Sequence, residues 1–459
     1  MFEINKDTQV HFIGIGGIGM SGIAEVLISL GQNVSGSDLT RSPNVERLES
    51  LGVKIFGRHT DENIKDATVI VYSSAILNSN PELKAARERN IPVMRRAEML
   101  SELMRLKKGL AIGGTHGKTT TTSILATILQ ESEFEPTYII GGIVANLKGH
   151  AKVGTGEFLI AEADESDGSF LQLNPIMSVI TNIDNDHMDF YKTEENLLDA
   201  FEQFANKIPF YGVCALNVHD KKSMKLIEKM RRPYITFGIK ESETICADFE
   251  ARNVVYEKNY SKYDLYYQNE YKSVIEINMP GRHNVLNTLG AICLAYNMKV
   301  PFKKIQNGVK KFAGVGRRFQ SIFKAENLEI IDDYGHHPTE IVATLNAARR
   351  TRPDENLIVI FEPHRYSRTR DCWDAFLHCF NDCNKLFLMP IYPASEDEIL
   401  GISSSRLADD INKLHPGLVE LLDNDNEISN LINKKYTDKT TVLVLGAGSI
   451  GKRVKKCLN

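Results

Sequence analysis

Short apolar stretches alternate along this chain with stretches whose apolar residues recur at the three- and four-residue spacing of a helix. In the first hundred residues, strands are predicted at 10–13, 34–37, 54–56 and 68–72, and helices at 21–30, 44–51 and 81–89. Later strands are predicted at 110–112, 158–161, 177–181, 328–332, 357–361, 385–390 and 441–445. Strands that alternate with helices pair in parallel, so the pattern predicts an α/β protein.

Length and pattern together predict three domains, because the chain has 459 residues and one domain holds roughly 150. Candidate boundaries give domains of 1–107, 108–315 and 316–459. Each is expected to contain a mainly parallel sheet, Rossmann-like in the first and third domains and like that of the P-loop ATPases in the second. Short strands rich in tyrosine and charge at 244–277 predict an antiparallel addition to the central sheet.

The most informative motif lies between the strand at 110–112 and a helical stretch at 123–129. It has the form Gly-x-x-Gly-Lys-Thr and runs Gly114-Thr115-His116-Gly117-Lys118-Thr119-Thr120. Glycines between a strand and a helix let backbone N–H groups surround a phosphate, and the helix start adds a partial positive charge. Lys118 would then reach the terminal phosphates, and the Thr119 hydroxyl would bind magnesium. The motif predicts binding of a nucleoside triphosphate.

Two further glycine turns match the dinucleotide fingerprint. Gly14, Gly16 and Gly19 follow the first strand, and Asp38 lies 19 residues after Gly19, where the fingerprint has an acidic residue. This turn fits NAD, but it also fits any other diphosphate that needs close approach of the backbone. The second copy, at 446–451, is interpreted as a structural turn that closes a strand onto a helix.

Acidic and histidine-rich stretches follow two strands of the central domain. Glu162 ends the strand at 158–161, beside the phosphate loop, where a nucleotide-bound magnesium needs a second ligand. Glu162 is therefore predicted to bind the metal, with Glu165 as the alternative. His187 follows the strand at 177–181 and is predicted to bind a second ion, although a hydrogen-bonded loop histidine would have the same pattern.

Other polar groups recur where a ligand would need them. Asn284 and Asn287 are neighbours on one helix face, where amides suit recognition of a base or ribose, although Asn284 could instead cap the helix. In the third domain, polar residues at 332–339 and at 361–368 follow successive strands, at the sheet edge where catalytic groups gather. There Arg365 and Arg368 are predicted to bind a substrate carboxylate.

Composition narrows the choice of partners and compartment. The net charge of −4 and the pI near 6.3 give no electrostatic footprint for nucleic acid. No stretch approaches 18 apolar residues, so no membrane span is expected. Seven scattered cysteines suit a reducing compartment, and a cytoplasmic location is predicted.

Taken together, these motifs resemble the Mur ligase family, ATP-dependent amide-forming enzymes of bacterial cell-wall synthesis. The likeness covers nearly the whole chain in the right order. It is carried by the phosphate loop, the strand end at Glu162, the run 185–189, His283-Asn284-x-x-Asn287 and Arg318-Phe319. The resemblance implies a set of ligands, a set of site residues and a reaction.

The resemblance implies that the first glycine turn holds the UDP of a sugar nucleotide, and not NAD. It implies ATP and two magnesium ions as cofactors. The implied UDP-sugar residues are Gly14, Gly16, Gly17, Gly19, Asp38, Ser73 and Ser74. The implied ATP-binding residues are those of the phosphate loop with His283, Asn284, Asn287, Arg318 and Asp333. The implied metal ligands are Thr119, Glu162 and His187. The implied amino-acid-binding residues are Tyr334, His336, Arg365 and Arg368. The implied catalytic residues are Lys118, His187 and His336.

The reaction implied by the resemblance joins L-alanine to the lactyl carboxylate of UDP-N-acetylmuramate through an acyl phosphate. Its products would be UDP-N-acetylmuramoyl-L-alanine, ADP and phosphate. One alternative is a recycling ligase that joins a ready-made tripeptide to the same sugar nucleotide. A remote alternative from another class is an NAD-binding oxidoreductase or sensor. Neither nucleic acid nor membrane is an expected partner, and the chain is expected to be a monomer or a weak dimer.

Overall fold

The computed structural model describes residues 7–73, 75–144, 147, 149–394 and 396–458. The strands in these ranges form three sheets, of five, ten and six strands. Most neighbouring strands are parallel, and helices connect them. The predicted α/β class with three mainly parallel sheets is confirmed.

The first sheet is wholly parallel. Its strands are β1 (Gln9–Ile13), β2 (Asn33–Ser37), β3 (Lys54–Phe56), β4 (Val69–Tyr72) and β5 (Val93–Arg95), and its helices are α1 (Ile18–Ser29), α2 (Pro43–Ser50), α3 (Pro81–Glu88) and α4 (Arg96–Leu106), with a 3-10 turn at Asp61–Ile64. The strand order is β3-β2-β1-β4-β5. The glycine turn after β1 therefore lies where the order reverses, which is the usual ligand site of such sheets.

The central sheet is the largest. Its strands are β6 (Lys108–Gly113), β7 (Thr137–Val144), β8 (Gly149–Lys152), β9 (Phe158–Glu162), β10 (Met177–Ile180), β11 (Val213–Asn217), β12 (Tyr234–Ile239), β13 (Phe249–Tyr256), β14 (Ser261–Tyr267) and β15 (Glu270–Ile277). Their order is β15-β14-β13-β12-β11-β10-β6-β9-β7-β8. The antiparallel pairs β13–β14 and β14–β15 confirm the predicted addition at one edge. An unpredicted antiparallel pair, β7–β8, forms the other edge.

The helices of this part are α5 (Lys118–Glu131), α6 (Met188–Tyr191), α7 (Glu194–Ala205), α8 (Lys221–Ile227), α9 (Arg282–Asn297) and α10 (Phe302–Lys311), with a 3-10 turn at Ser169–Gln172. Because β6 pairs in parallel with both β9 and β10, the carboxyl ends of these three strands lie side by side. The phosphate loop, the acidic stretch and the stretch at 182–189 therefore meet at one edge of the sheet.

The third sheet has one antiparallel edge strand and is otherwise parallel. Its strands are β16 (Gln320–Lys324), β17 (Leu328–Asp333), β18 (Asn356–Phe361), β19 (Lys385–Leu388), β20 (Val419–Leu421) and β21 (Thr440–Leu445), in the order β16-β17-β21-β18-β19-β20. Its helices are α11 (Pro338–Thr351), α12 (Tyr366–Asp371), α13 (Trp373–Phe376), α14 (Ser404–Leu414), α15 (Asp425–Ile432) and α16 (Ile450–Cys457). The stretches after β17 and β18 lie at one end of this sheet, on either side of β21.

Apolar packing joins the first sheet to the central sheet more closely than it joins the third sheet to either of them. One buried cluster contains Phe12 and Ile23 of the first part together with Ile139 and Leu159 of the central part. Helix α1 approaches β7 so closely that a Cβ at Gly22 would lie 3.1 Å from the Ile139 side chain. The third sheet has separate clusters of its own.

In the glycine turn at 446–451, a carboxylate of the protein itself occupies the backbone N–H groups. The buried carboxylate of Glu362 accepts hydrogen bonds from the backbone N–H of Ser449 at 2.8 Å and from that of Ile450 at 3.0 Å. These are the N–H groups that a pyrophosphate would need. The turn thus joins β21 to α16, which agrees with its interpretation as a structural turn.

Replacing Glu362 with alanine is expected to destabilise the chain. The variant leaves the N–H groups of Ser449 and Ile450 without their acceptor, at a cost of about 2 kcal/mol in the free energy of unfolding. Urea denaturation measures this loss, and Glu326→Ala is the matched control because Glu326 is exposed in the same domain. Equal unfolding free energies for the two variants would contradict this role of Glu362.

Candidate active site

The phosphate loop connects β6 to α5, as predicted. Gly114 and Gly117 have φ angles of 121° and 83°, in the region that favours glycine. A Cβ at Gly114 would collide with the Thr181 hydroxyl, and one at Gly117 with the Asn287 amide. The loop therefore requires glycine at both positions, for backbone conformation and for space.

The ammonium group of Lys118 lies at the centre of this loop. It donates to the carbonyls of Gly114 at 2.7 Å and Thr115 at 3.0 Å, and it pairs with both oxygens of Glu165 at 2.7 and 2.9 Å. Burial opposes the charge of Lys118, but the carboxylates of Glu165 and Asp164 outweigh it and raise the pKa of Lys118. Burial also raises the pKa of Glu165 to about 7.

Glu162 and Thr119 form a second polar contact beside the loop. The Thr119 hydroxyl donates to Glu162 Oε2 at 3.1 Å, and the Gly141 N–H donates to Oε1 at 2.6 Å. Burial raises the pKa of Glu162, which indicates a carboxylate whose charge its neighbours compensate only partly. A hydroxyl and a carboxylate oxygen side by side are a suitable donor set for magnesium.

A cleft of about 810 Å³ runs past the loop and is bounded by all three parts of the chain. It contains most of the residues that the sequence predicted for catalysis, metal and substrates. Those lining it are Gly17, Gly19, Ser73, Thr115, His116, Gly117, Lys118, Thr119, Glu162, His187, Arg318, Tyr334, His336, Arg365 and Arg368.

A second cavity of about 390 Å³ lies on the other side of the loop, between the central and C-terminal parts. It is lined by the predicted nucleotide residues His116, Gly117, Thr120, His283, Asn284, Asn287, Arg318 and Asp333. His116, Gly117, Arg318 and Glu340 line both spaces. The phosphate loop is therefore the partition between a cavity large enough for a nucleoside and a larger cleft.

Asn284 does not cap its helix, which was the alternative interpretation. Gly281 precedes the first residue of α9, and the Asn284 amide donates instead to the Pro280 carbonyl at 2.7 Å. The amide of Asn287 lies 3.5 Å from the Asn284 side-chain oxygen. Both amides are thus held at the cavity wall.

In the N-terminal part, Asp38 supports the glycine turn. Its carboxylate accepts from the Gly16 N–H at 2.8 Å and from the Thr40 N–H at 2.9 Å. Gly14 has a φ of 78° and begins the turn. Ser74 lies outside the described residues.

Three histidines of the candidate site, His187, His283 and His336, are held as neutral imidazoles. Burial lowers the pKa of His336 to about 3, and burial together with Arg318 lowers that of His283 to about 4. Burial also lowers the pKa of His187, which precedes α6 with a φ of 56°. A neutral imidazole has a lone pair that can bind a metal or accept a proton.

The two predicted carboxylate-binding arginines face acidic groups of the central part. Both carboxylate oxygens of Asp186 lie 3.2 Å from Arg368 Nη2. Arg365 Nη2 lies 3.7 Å from Asp189, and Arg365 Nε donates to Glu396 at 2.6 Å. The C-terminal part thus meets the central part through ion pairs at the cleft.

His116 also lies at this junction and differs from the other histidines. Its Nε2 is 3.0 Å from Asp184 Oδ2, and its Nδ1 is 3.4 Å from Glu340 Oε1. Burial opposes protonation, but the carboxylates of Asp184 and Glu340 outweigh it and raise the pKa of His116 to about 9. The ligating atoms of His116, Asp184 and His337 lie within 4.8 Å of one another. In this structure the three groups form an ion-pair network at the junction of the central and C-terminal parts.

Two residues of the site were missed at the level of sequence. Arg96 begins α4, pairs with Asp164 at 3.0 Å and lies 3.1 Å from the position of a Cβ at Gly19. Its signal was the Arg95-Arg96 pair, at the point where an unrecognised short strand ends and α4 begins. Glu340, which lies two residues beyond Pro338, gave no signal, because its partners come from distant parts of the chain.

Three models of known protein families match the chain in sequence. They are "Mur ligase family, catalytic domain" at 9–108, "Mur ligase middle domain" at 112–295 and "Mur ligase, glutamate ligase domain" at 317–448. Together they span nearly all of the three domains that form the cleft. This chain belongs to the Mur ligase family.

Individual members of this family are similar to the chain over nearly its whole length. UDP-N-acetylmuramate–L-alanine ligases of Trichlorobacter lovleyi and Geotalea daltonii are 46% and 47% identical to this chain. These matches cover 96% and 97% of this chain and 96% of each relative. The crystal structure of the UDP-N-acetylmuramate–alanine ligase of Thermotoga maritima is 27% identical, with a TM-score of 0.82 over 98% of both chains. A murein peptide ligase of Psychrobacter arcticus, 22% identical with a TM-score of 0.72 over 98% of both chains, shares the fold.

Within the described ranges, no helix combines the length and the apolar character needed to cross a bilayer.

An NMR titration of the histidine ring protons tests the His116 network. We expect a pKa of about 9 for His116, against about 6.5 in the unfolded chain. Because the folded value is the higher one, the network stabilises the fold fully below pH ~6.5 and loses this contribution as the pH rises through about 9. Asp184→Asn should lower the His116 pKa, whereas Asp199→Asn, a change at an exposed carboxylate, should not. A His116 pKa at or below the unfolded value would contradict the assignment.

Proposed function

We propose that this chain joins L-alanine to UDP-N-acetylmuramate with hydrolysis of ATP to ADP and phosphate. One observation carries the proposal: the phosphate loop separates two spaces. A cavity of nucleoside size lies on one side of it, and a cleft bounded by all three domains lies on the other. Three substrates that must react in sequence need such a meeting point. The relatives named for this reaction match the chain over nearly its full length.

The two spaces suggest where each substrate binds. Adenosine occupies the smaller cavity, against Asn284, Asn287 and His283, and its phosphates pass over Gly117 to Lys118. The UDP of the sugar nucleotide binds at the first glycine turn, where Arg96 offers a cation to the diphosphate. The amino acid binds opposite, between Tyr334, Arg365 and Arg368. These placements assign roles to domains 1–107, 108–315 and 316–459.

Thr119 and Glu162 would hold the magnesium ion that accompanies the nucleotide. Their contact and the partly compensated carboxylate of Glu162 fit an oxygen-binding cation. Glu165 is the weaker candidate because it already pairs with Lys118. The neutral imidazole of His187 would serve a second ion. When bound, such ions neutralise charge on the phosphates.

In the first step, the lactyl carboxylate attacks the γ-phosphorus of ATP, and the bond to the ADP oxygen breaks. Lys118 exchanges its contact with Glu165 for the phosphate oxygens and stabilises the charge that builds there. The products are an acyl phosphate and ADP. The enclosed cleft keeps water from the acyl phosphate.

In the second step, the L-alanine amine attacks the acyl carbon. A tetrahedral intermediate forms and then expels phosphate, which leaves the new amide bond. The α-carboxylate is held by Arg365 and Arg368 through forked hydrogen bonds. His336 lines the cleft and is the proposed acceptor of the proton that the ammonium group releases. Because burial lowers its pKa to about 3, this role requires the negative charges of the bound substrates to raise that pKa.

The family assignment removes the alternative of an NAD-dependent oxidoreductase. The recycling ligase remains the second candidate, because a fold shared with a murein peptide ligase does not decide the size of the amine substrate. The 46% identity to alanine-adding relatives favours L-alanine. A monomeric or weakly dimeric state and a cytoplasmic location stay predictions.

An ADP-release screen with UDP-N-acetylmuramate tests the function. We expect ADP formation with L-alanine, less with glycine or L-serine, and none when the sugar nucleotide is omitted. Lys118→Ala should abolish turnover because the transferring phosphate loses its cation, while Lys152→Ala, at an exposed lysine, should leave it unchanged. Preference for the L-Ala-γ-D-Glu-diaminopimelate tripeptide would establish the recycling activity instead.

The metal assignment is tested with Glu162→Gln, which keeps the side-chain shape but removes its charge. We expect the magnesium concentration for half-maximal rate to rise by about tenfold or more, since a charged oxygen ligand is lost. Glu157→Gln is the matched control, because Glu157 is exposed and directly precedes β9, the strand that ends at Glu162. If Glu165→Gln alone changed the magnesium dependence, the ligand would be Glu165.

A further inference from the structure

One carboxylate connects the nucleotide side of the site with the amino-acid side. Glu340 lies in the first turn of α11 and is mostly buried, with 12% of its side chain exposed. Its Oε1 lies 3.4 Å from His116 Nδ1 and 3.6 Å from Arg318 Nη1. Its Oε2 accepts from the backbone N–H of His336 at 3.0 Å and from that of His337 at 3.3 Å.

The two oxygens thus have different partners. Oε1 contacts His116 of the phosphate loop, across the junction between the central and C-terminal domains. Oε2 fixes the backbone of the loop that carries Tyr334 and His336, where the amino acid is proposed to bind. Glu340 therefore connects the phosphate loop directly to that loop, in parallel with Asp184, which pairs with His116 and accepts from Thr339.

The His116 side chain is available to pair with Glu340 because other groups hold the backbone of the phosphate loop. The His116 N–H donates to the Asn182 side chain at 2.9 Å, and the His116 carbonyl accepts from the Thr181 hydroxyl and the Asn182 amide. The imidazole is not needed for these bonds. It instead pairs with Asp184 on one side and Glu340 on the other.

We propose that the His116–Glu340 ion pair couples nucleotide binding at the phosphate loop to placement of the amino-acid loop at 334–337. Both residues are positioning residues. The pair holds the C-terminal domain against the loaded phosphate loop, assisted by the Thr339 hydroxyl, which donates to Asp184 at 2.6 Å. This inference rests on the proposed function for the identity of the amino-acid loop.

The physical reason for a polar coupling lies in the packing. The N-terminal and central domains share an apolar cluster, whereas the C-terminal domain has its own. Ion pairs at a junction can form and separate without exposing a large apolar surface. A partly buried pair also depends strongly on geometry, because a buried charge without its partner is costly. Nucleotide binding that fixes His116 therefore favours the position of Glu340 seen here.

Hydrogen–deuterium exchange tests the coupling without relying on the amine substrate. Binding of a non-hydrolysable ATP analogue with magnesium should slow exchange of the backbone amides within 335–340, all of which have an N–H except Pro338, in the native chain. His116→Gln and Glu340→Gln should each still bind the analogue but lose this protection. The glutamine side chain introduced by Glu340→Gln retains an amide oxygen for the backbone N–H groups, so the start of α11 is preserved.

Lys258→Gln is the matched control. Lys258 pairs with Glu355 at 2.7 Å across the same two domains, but Glu355 lies beyond the last residue of α11, whereas Glu340 lies in its first turn. This variant should keep the analogue-induced protection. Protection of 335–340 that is equal in all four proteins would overturn the proposal.

Kinetics give the second readout. Each single variant should raise the KM for L-alanine by about tenfold, with a smaller change in kcat and with UDP-sugar binding within about twofold. The double variant should be no worse than the more affected single one, because both remove the same interaction. Additive losses would overturn the coupling. The native chain could also bind the analogue and show the protection but release no ADP with any amine. That result would refute the proposed function and still support the coupling.

Discussion

The parallel pairing of β6 with β9 and β10 is the constraint on which the site depends. Because the three strands point the same way, their carboxyl ends deliver the phosphate loop, Glu162 and the 182–189 stretch to one edge of the sheet. No single segment contains a complete site. The Lys118–Glu165 and Thr119–Glu162 contacts exist only because adjacent strands bring them within hydrogen-bond distance.

The three domains contribute in physically different ways. The N-terminal and central domains are joined by apolar packing, which suits a fixed wall for the sugar nucleotide. The C-terminal domain meets that wall through the Arg368–Asp186 and Arg365–Asp189 ion pairs and through the Thr339 hydroxyl, which donates to Asp184. Such a junction suits a domain that closes over the proposed amino-acid site, since domain closure both excludes water and completes the site.

Much of the fold could be predicted from the sequence because its signals are local. The strands at 54–56 and 328–332 are apolar runs followed by turn residues, and the structure has them within a residue of the predicted bounds. The phosphate loop was found because glycine is required there by backbone angle and space. Strand β5 was missed; like β3 it has only three residues, too few to show a period, so the spacing of apolar residues does not distinguish either strand from a loop.

The candidate residues of the site were largely visible as well, but their pairing was not. Sequence patterns singled out Asp38 and Glu165 without their partners, whereas Glu340 had no signal. Each of the three contacts a partner at least 22 residues away. The protonated state of His116 likewise depends on carboxylates of two domains. Sequence indicates which residues can do chemistry, whereas the arrangement of domains decides which of them act together.

The most direct measurement is a crystal structure of this chain with an ATP analogue and magnesium. The account predicts the triphosphate over Gly117, Lys118 and Thr119, the cation at the Thr119–Glu162 contact, and the base in the cavity beside Asn284 and Asn287. A nucleotide bound at the first glycine turn or elsewhere, with the phosphate loop empty, would contradict it.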